Sequence, residues 1–318
     1  MNSIKCINDI VIIDGLTRSG KFLLGKLVSS IDGLEYLNLC SELDRTIQKN
    51  KTGILRDIDA SRNLVVAMNE SIYNMAIGRN INMRYNDGSS IVNSFEKELY
   101  INRQNQDVIG NDAIKQLIEQ KRSSVFILHQ SLGSIDLIKK SISNLKIINI
   151  RRHPLELVYS WIKRGWGRRA VDDPLSFDVL CYHKNGVVPY YASGWADEYL
   201  DTSNEYDRVV KSVVHITEEE SRVIKSKQHD ICCIYYDNLI GSPDREIGKI
   251  CAFLNRSPHE SMSTTIERER RDIDFKAQRT MKMNYINSVI GEKLFFEKLL
   301  DLSNQYEQNI KNRSEELV

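Results

Sequence analysis

The 318-residue sequence is short of several things at once. It has no charge excess: 44 basic against 43 acidic residues leave a formal charge of +1. It therefore lacks the strongly cationic character that binding to a phosphate backbone demands, and a nucleic-acid partner is not expected. No apolar run approaches the ~20 residues of a membrane span, and the opening MNSIKCIND lacks the pattern of a signal peptide. Six cysteines, at 6, 40, 181, 232, 233 and 251, show no CxxC spacing. They are expected to be reduced and mostly buried, as in a cytoplasmic protein. There is no internal repeat, low-complexity tract or linker, so one domain over residues 1–318 is expected. What is present is an ordinary globular composition, 41% hydrophobic and 27% charged.

One stretch organises the rest: Ile10 to Leu27, IVIIDGLTRSGKFLLGKL. The apolar run Ile10–Ile13 has the character of a buried strand. Gly15, Ser19 and Gly20 punctuate a tight loop, and Phe22, Leu23, Leu24 and Leu27 begin a helix. Strand, glycine loop and helix start together present backbone N–H groups to a phosphate, and Arg18 and Lys21 add fixed positive charge. Gly15, Gly20 and Lys21 fit the GxxxxGK part of the Walker A pattern, but the next residue is Phe22. A P-loop NTPase has a hydroxyl there to hold magnesium. Phe22 cannot ligate a metal, so the loop keeps a phosphate cradle without a metal hook.

Further along, Ile31–Leu39 is expected to return toward the sheet, and Ser41-Glu42-Leu43 to start a helix. Residues 59–77 carry helical apolar spacing behind an Asp59 or Ser61 cap. The segment GRNINMRYNDGSS is irregular and of the kind that contacts substrate, with Arg79, Arg84 and Asp87 as polar candidates. Asn111–Gln120 is predicted helical. Ser124–Leu128 is predicted as a second strand, ending in His129-Gln130-Ser131, with Ser131 or Ser134 capping the next helix. Lys146–Ile150 is a third strand, followed at once by Arg151, Arg152, His153 and a helix opened by Pro154. Strand–loop–helix units in series argue for an α/β fold: a central parallel sheet flanked by helices, with right-handed crossovers and ligands at the strands' C-terminal ends. Residues 165–200 are predicted as loop and short helix beside a cleft. Asn204–Lys227 is a long amphipathic helix, Ile231–Tyr236 a fourth strand, and Pro243–Leu254 and Glu292–Leu302 further helices.

Four stretches together resemble the sulfotransferase family, whose donor is 3′-phosphoadenosine 5′-phosphosulfate (PAPS). DGLTRSGKFLL resembles the family's loop for the donor's 5′-phosphosulfate, and INIRRHPLELVYSW its 3′-phosphate motif, with Arg152, Pro154 and Ser160 in the family spacing. IYYDNLIGSPDREIGKICAFL is similar to the later segment whose aromatic, here Tyr236, lies near the adenine. His129 stands where cytosolic members carry a catalytic histidine. These segments cover about residues 9–30, 124–165 and 231–255. The family's C-terminal Arg-Lys-Gly loop has no clean match; Arg279 and Lys282 in AQRTMK are the nearest candidates. The irregular 78–90 segment and SWIKRGWGRR also look like bacterial members acting on carbohydrate-type acceptors.

The resemblance implies the P-loop-like sulfotransferase fold and metal-independent in-line transfer of a sulfuryl group from PAPS to an acceptor hydroxyl or amine. The acceptor would be a carbohydrate or small molecule, and adenosine 3′,5′-bisphosphate (PAP) would be left. Thr17, Arg18, Ser19, Gly20, Lys21, Phe22 and Leu23 would cradle the phosphosulfate, with Lys21 stabilising the leaving phosphate. Arg152 and Ser160, closed by Arg279, would hold the 3′-phosphate. His129 is the candidate base, with Glu70 and Glu42 as substitutes, since many carbohydrate-type members use a glutamate. Trp161 and Trp166 are expected to pack. The competing reading is a magnesium-dependent P-loop kinase or NTPase, with Asp237 ending a Walker B-like strand.

Overall fold

The computed structural model describes residues 6–170, 172–184, 186–227 and 230–315. β1 (Ile10–Asp14) leads through a tight loop into α1 (Lys21–Val28). Next come α2 (Ser41–Lys51), α3 (Asp57–Ala76), α4 (Lys97–Asn105), α5 (Gly110–Glu119), β2 (Ser124–Ile127), α6 (Ile135–Ser141), β3 (Leu145–Arg151) and α7 (Pro154–Ile162). The hairpin of β4 (Leu180–His183) and β5 (Gly186–Pro189) precedes α8 (Ala196–Asp201) and α9 (Glu205–Ser226). β6 (Ile231–Tyr235), α10 (Tyr236–Gly241), α11 (Pro243–Leu254), α12 (Met262–Glu269), α13 (Phe275–Val289) and α14 (Lys293–Glu315) follow.

The main sheet is parallel throughout, in the order β2-β1-β3-β6. Ile12 sits between Phe126 and Ile147, and Ile148 pairs with Cys232. All five β1 residues are buried, as expected of strands covered by helices on both faces. Alternation along the strands splits the core. Val11, Ile13, Val125, Ile127, Ile148 and Ile150 join Leu24, Leu27 and Val28 of α1 and Ile247 and Ile250 of α11. Ile10, Ile12, Phe126 and Ile147 join Leu43 and Ile47 of α2 and Leu64 and Met68 of α3 on the other face. A third cluster gathers α7, α9 and α14. Residues 34–38 extend the sheet beyond β2 through bridges from Leu34 to Ser123 and Asn38 to Phe126, the expected return of that segment.

Several local expectations are corrected. α3 begins at Asp57, two residues before the anticipated cap; Asp59 lies in its first turn and pairs with Arg56, while Ser61 meets Ser141. Neither Ser131 nor Ser134 caps the segment after β2 with its side chain. The Asp14 carboxylate does so across the sheet, accepting from the backbone N–H of Ser131 (3.0 Å) and Leu132 (3.2 Å). The hairpin inside 165–200 was not anticipated, and the last helix runs on well past Leu302.

β1 is the element from which the sheet grows in both directions, with β2 on one side and β3 on the other. The loops leaving β1 and β3 therefore diverge, which opens a crevice above their C-terminal ends.

Candidate active site

The loop after β1 is held from within by its carbonyl groups. Lys21 Nζ donates to the carbonyls of Gly15 (2.6 Å) and Leu16 (3.0 Å). Trp161 Nε1 donates to the carbonyl of Thr17 (3.0 Å), and Arg152 Nη1 to that of Arg18 (2.9 Å). Four consecutive acceptors are thus occupied, by buried Lys21, by Trp161 of α7 and by Arg152 between β3 and α7. The backbone N–H groups of Lys21, Phe22 and Leu23 open α1, which has no side-chain cap, and a helix supplies no internal partner for them. Carbonyls tied down and amides left over make a seat for an anion. Two glycines permit the path: Gly15 (φ 153) passes so close to β3 that a Cβ would lie 2.4 Å from the Ile150 carbonyl oxygen, and Gly20 (φ 108) lies against the Tyr236 ring.

Cationic side chains converge on this seat. Arg18, exposed on the loop at φ 78, has its proton affinity lowered first by partial burial and then by the charges of Arg164, Arg152 and Arg271. Arg152 lies over the Tyr236 ring, 4.6 Å from its centroid, and is held by Glu156 (2.8 Å) one turn into α7. Ser160, two turns along α7, accepts from Arg164 Nη1 (3.0 Å). Arginine suits this task because its planar fork can grip phosphate with two bonds.

The expected residues are distributed as follows. Arg18, Gly20 and Phe22 lie on the loop and the start of α1, Ser19 and Arg152 share the wall of one cavity, Leu23 lines another, the Thr17 hydroxyl accepts from Gln130 Nε2 (3.3 Å), and Ser160 is held by Arg164. The Lys21 ammonium is turned under the loop and buried, not facing the seat. Arg279 is committed to Asp237 and approaches Glu156 (3.7 Å), and Lys282 also approaches Glu156 (3.6 Å). Both stand behind Arg152, on the shared carboxylate. Arg164 and Arg271 carry further charges that act on Arg18, and the sequence reading missed both. The charged run ERERRD around Arg271 was the available signal; for Arg164, its place one turn after Ser160 was. Tyr236 is 3% exposed and floors the loop under Arg152. A cavity nearby, about 470 Å³, is lined by the apolar Leu23, Leu27, Leu239 and Ile266 together with the charged Asp244, Arg245, Glu267, Glu269, Arg270 and Arg271. Trp161 and Trp166 pack edge to face in the third cluster, as expected.

His129 follows β2. Its Nδ1 is 2.8 Å from Asp44 Oδ2, and its backbone N–H donates to Asp44 Oδ1 (2.9 Å). Glu42 and Glu70 lie elsewhere, on the wall of a separate cavity of about 330 Å³ with Asn38, Asn74, Arg79 and Asn82. The 78–90 segment thus lines a cavity, and Gly88 in it packs on Phe22. Asp237 is held by Arg279 and by the Tyr306 hydroxyl (3.0 Å), so both its oxygens are engaged. Among the described residues no group of three or more His, Cys, Asp or Glu side chains is arranged to hold a metal ion, and no helix is long and apolar enough to cross a membrane.

A glycine loop and a helix N-terminus at the carboxyl end of a parallel strand, with arginines nearby, make a seat for a phosphate-bearing ligand. Residues 8–301 match the sulfotransferase domain family. The chain belongs to that family and is a sulfotransferase, an enzyme of the class that draws its sulfuryl group from PAPS. Similar solved structures include the sulfotransferase domain of the Synechococcus PCC 7002 olefin synthase (13% identity, 96% of this chain and 97% of that one, TM-score 0.49). The sulfotransferase domain from the curacin biosynthetic pathway is another (14%, 85% and 80%, 0.44), and mouse sulfotransferase SULT7A1 complexed with PAP a third (11%, 98% and 91%, 0.42). No curated protein matches the chain.

Proposed function

We propose that this enzyme moves a sulfuryl group from PAPS to a hydroxyl or amine of a polar acceptor by in-line, metal-independent transfer, with His129 as base. The observation that carries the reading is the loop itself: carbonyls pinned inward, amides of α1 left over, Arg152 bonded to the Arg18 carbonyl, and the charges of Arg164 and Arg271 acting on Arg18. Backbone amides of Gly20–Leu23 and the Arg18 guanidinium take the 5′-phosphosulfate and meet the charge that builds on the leaving phosphate, while the Ser19 amide closes the loop on the Leu16 carbonyl (3.0 Å). Lys21 contributes from beneath, holding the loop in its anion-accepting shape. Arg152 and Ser160 take the 3′-phosphate, with Arg164 and Arg271 supplying the charge expected of a C-terminal basic loop, and Arg279 positions Glu156 behind them. The amide-rich cavity at Asn38, Asn74 and Asn82 is also walled by Glu42 and Glu70 and does not include His129, so the carbohydrate or small-molecule acceptor is placed with its reacting hydroxyl or amine at His129 Nε2. We place the enzyme in the cytoplasm as a single domain.

Calorimetric titration with PAP in EDTA tests the donor site. PAP is expected to bind without metal and ATP not to. Arg152→Ala should weaken PAP roughly 10- to 100-fold, as loss of charge-assisted hydrogen bonds does. ATP binding that requires magnesium would overturn the reading in favour of the kinase.

A further inference from the structure

His129 is held in an unusual way for a residue at a strand end. One carboxylate, that of Asp44, engages it twice: Oδ1 accepts from the His129 backbone N–H at 2.9 Å, and Oδ2 lies 2.8 Å from ring Nδ1. Asp44 stands in the first turn of α2, a helix fixed to the sheet by Leu43 and Ile47, which share a core cluster with Leu128. The imidazole is 27% exposed, and its Nε2 has no hydrogen-bond partner among the described residues.

We infer that Asp44 is the positioning residue that sets the tautomer of His129. With Oδ1 already accepting from a backbone amide, an ionised carboxylate offers only a second acceptor, Oδ2, to the ring. Nδ1 must then carry the proton and donate it, which leaves the Nε2 lone pair outward to take a proton from an acceptor hydroxyl. The backbone bond also fixes the ring's origin, because ring and amide are tied to the same rigid group. Other charged groups face this corner: Asp178, paired with Arg169 at 2.6 Å, lies near enough for its charge to couple with that of His129. Lys21, under the loop, is coupled to Asp44. Neither makes a hydrogen bond to the imidazole, so Asp44 alone decides which nitrogen bears the proton.

The inference rests on the proposal that His129 is the base, yet it can fail separately. Asp44→Asn is nearly isosteric. Its one oxygen must serve either the backbone N–H or the ring. With the oxygen kept on the backbone, the amide NH₂ faces Nδ1 as a donor and drives the proton to Nε2. Nitrogen-15 NMR of the histidine ring above its titration range reads the tautomer with no acceptor present: Nδ1–H is expected in the native enzyme and Nε2–H in Asp44→Asn. Transfer of ³⁵S from PAPS to the fastest acceptor in a panel of simple polyols, phenols and amines reads the consequence. For Asp44→Asn, kcat should fall roughly 100-fold or more, within the range of general-base catalysis, while the KM for PAPS and the affinity for PAP stay within about twofold. The double variant with His129→Ala should be no slower than His129→Ala alone. A native tautomer already protonated at Nε2, or one unchanged in Asp44→Asn, would overturn the role of Asp44. An active His129→Ala with the tautomer behaving as expected would instead remove the histidine from the chemistry.

Discussion

Lys21, Asp14 and Glu220 are each at most 3% exposed and are electrostatically coupled beneath the loop. Burial lowers the Lys21 ammonium to about 8, against the attraction of Asp14. Burial, with the charge of Asp14 adding to it, raises the Glu220 carboxyl to about 8, so this glutamate holds its proton at neutral pH. The sign of the consequence follows from linkage. Below about 4.5 both folded and unfolded chains bind the Glu220 proton. Between about 4.5 and 8 only the folded chain does, and stability falls as pH rises. Lys21 acts oppositely and higher, adding stability as pH rises from about 8 to 10.5. Glu220→Gln should therefore remove a pH-dependent loss on the order of a few kcal/mol, seen as melting temperatures that diverge from the native enzyme between pH 5 and pH 8. Equal slopes would contradict the buried, protonated glutamate. At this scale the sequence named Lys21 but not where its charge goes, because a lysine stem can reach either side of a loop and core acceptors decided it.

The element that most depends on its neighbours is the loop from Gly15 to Gly20. Its path was legible from the glycines, and the reason is physical: Gly15 leaves no room for a Cβ against the Ile150 carbonyl, and no side-chain rotamer relieves a clash with backbone. Gly53 offers a control, since its φ is +77 but nothing lies within 4 Å. Gly53→Ala should cost about 1–2 kcal/mol from its left-handed backbone alone. Gly15→Ala should cost that and on the order of 1–3 kcal/mol more from overpacking, with PAP binding lost. Urea midpoints of the two variants check this, and a similar shift in both would show that the loop relaxes. The helix starts were less legible. Asp14 caps the segment after β2 from another strand, a partner that no local pattern reveals.

Across the whole molecule, the edge of the sheet beside the amide-rich cavity is tied by a buried ionic network. Glu35, 2% exposed, is bonded by Arg103 (2.9 Å), Arg122 (2.7 Å) and the Tyr100 hydroxyl (2.8 Å), and Arg122 reaches on to Glu96. The network joins α4, the turn before β2 and the strand-like 34–38 segment. Although burial opposes it, the hydrogen bonds and charges of Arg103 and Arg122 hold the Glu35 carboxyl below its usual range. Its stabilisation is present above about 4.5 and is lost as pH falls through the lowered value. Glu35→Gln leaves the buried Arg103 guanidinium without its charge partner and Arg122 with Glu96 alone, and should destabilise by roughly 3–5 kcal/mol, with less residual dependence on pH below 4.5. Denaturant unfolding at pH 7 and pH 4 measures both; a loss under about 1 kcal/mol at pH 7 would show that solvent replaces the carboxylate.

What the sequence determined by itself is what short-range chemistry encodes: apolar runs for β1, β2, β3 and β6, the glycine loop, Arg152 followed by a helix-opening proline, and a histidine at the end of β2. Each of these is a pattern within a few residues, and together they carried the family. The tertiary structure decided which charges meet. The charges of Arg164 and Arg271 reach Arg18 from segments more than a hundred residues apart, while Arg279, which the sequence favoured, is taken up by Asp237 and Glu156. Asp44 reaches His129 across 85 positions. Pairings of this kind depend on the order of strands in the sheet and on which buried charge finds a partner first in space, and neither is written in the spacing along the chain.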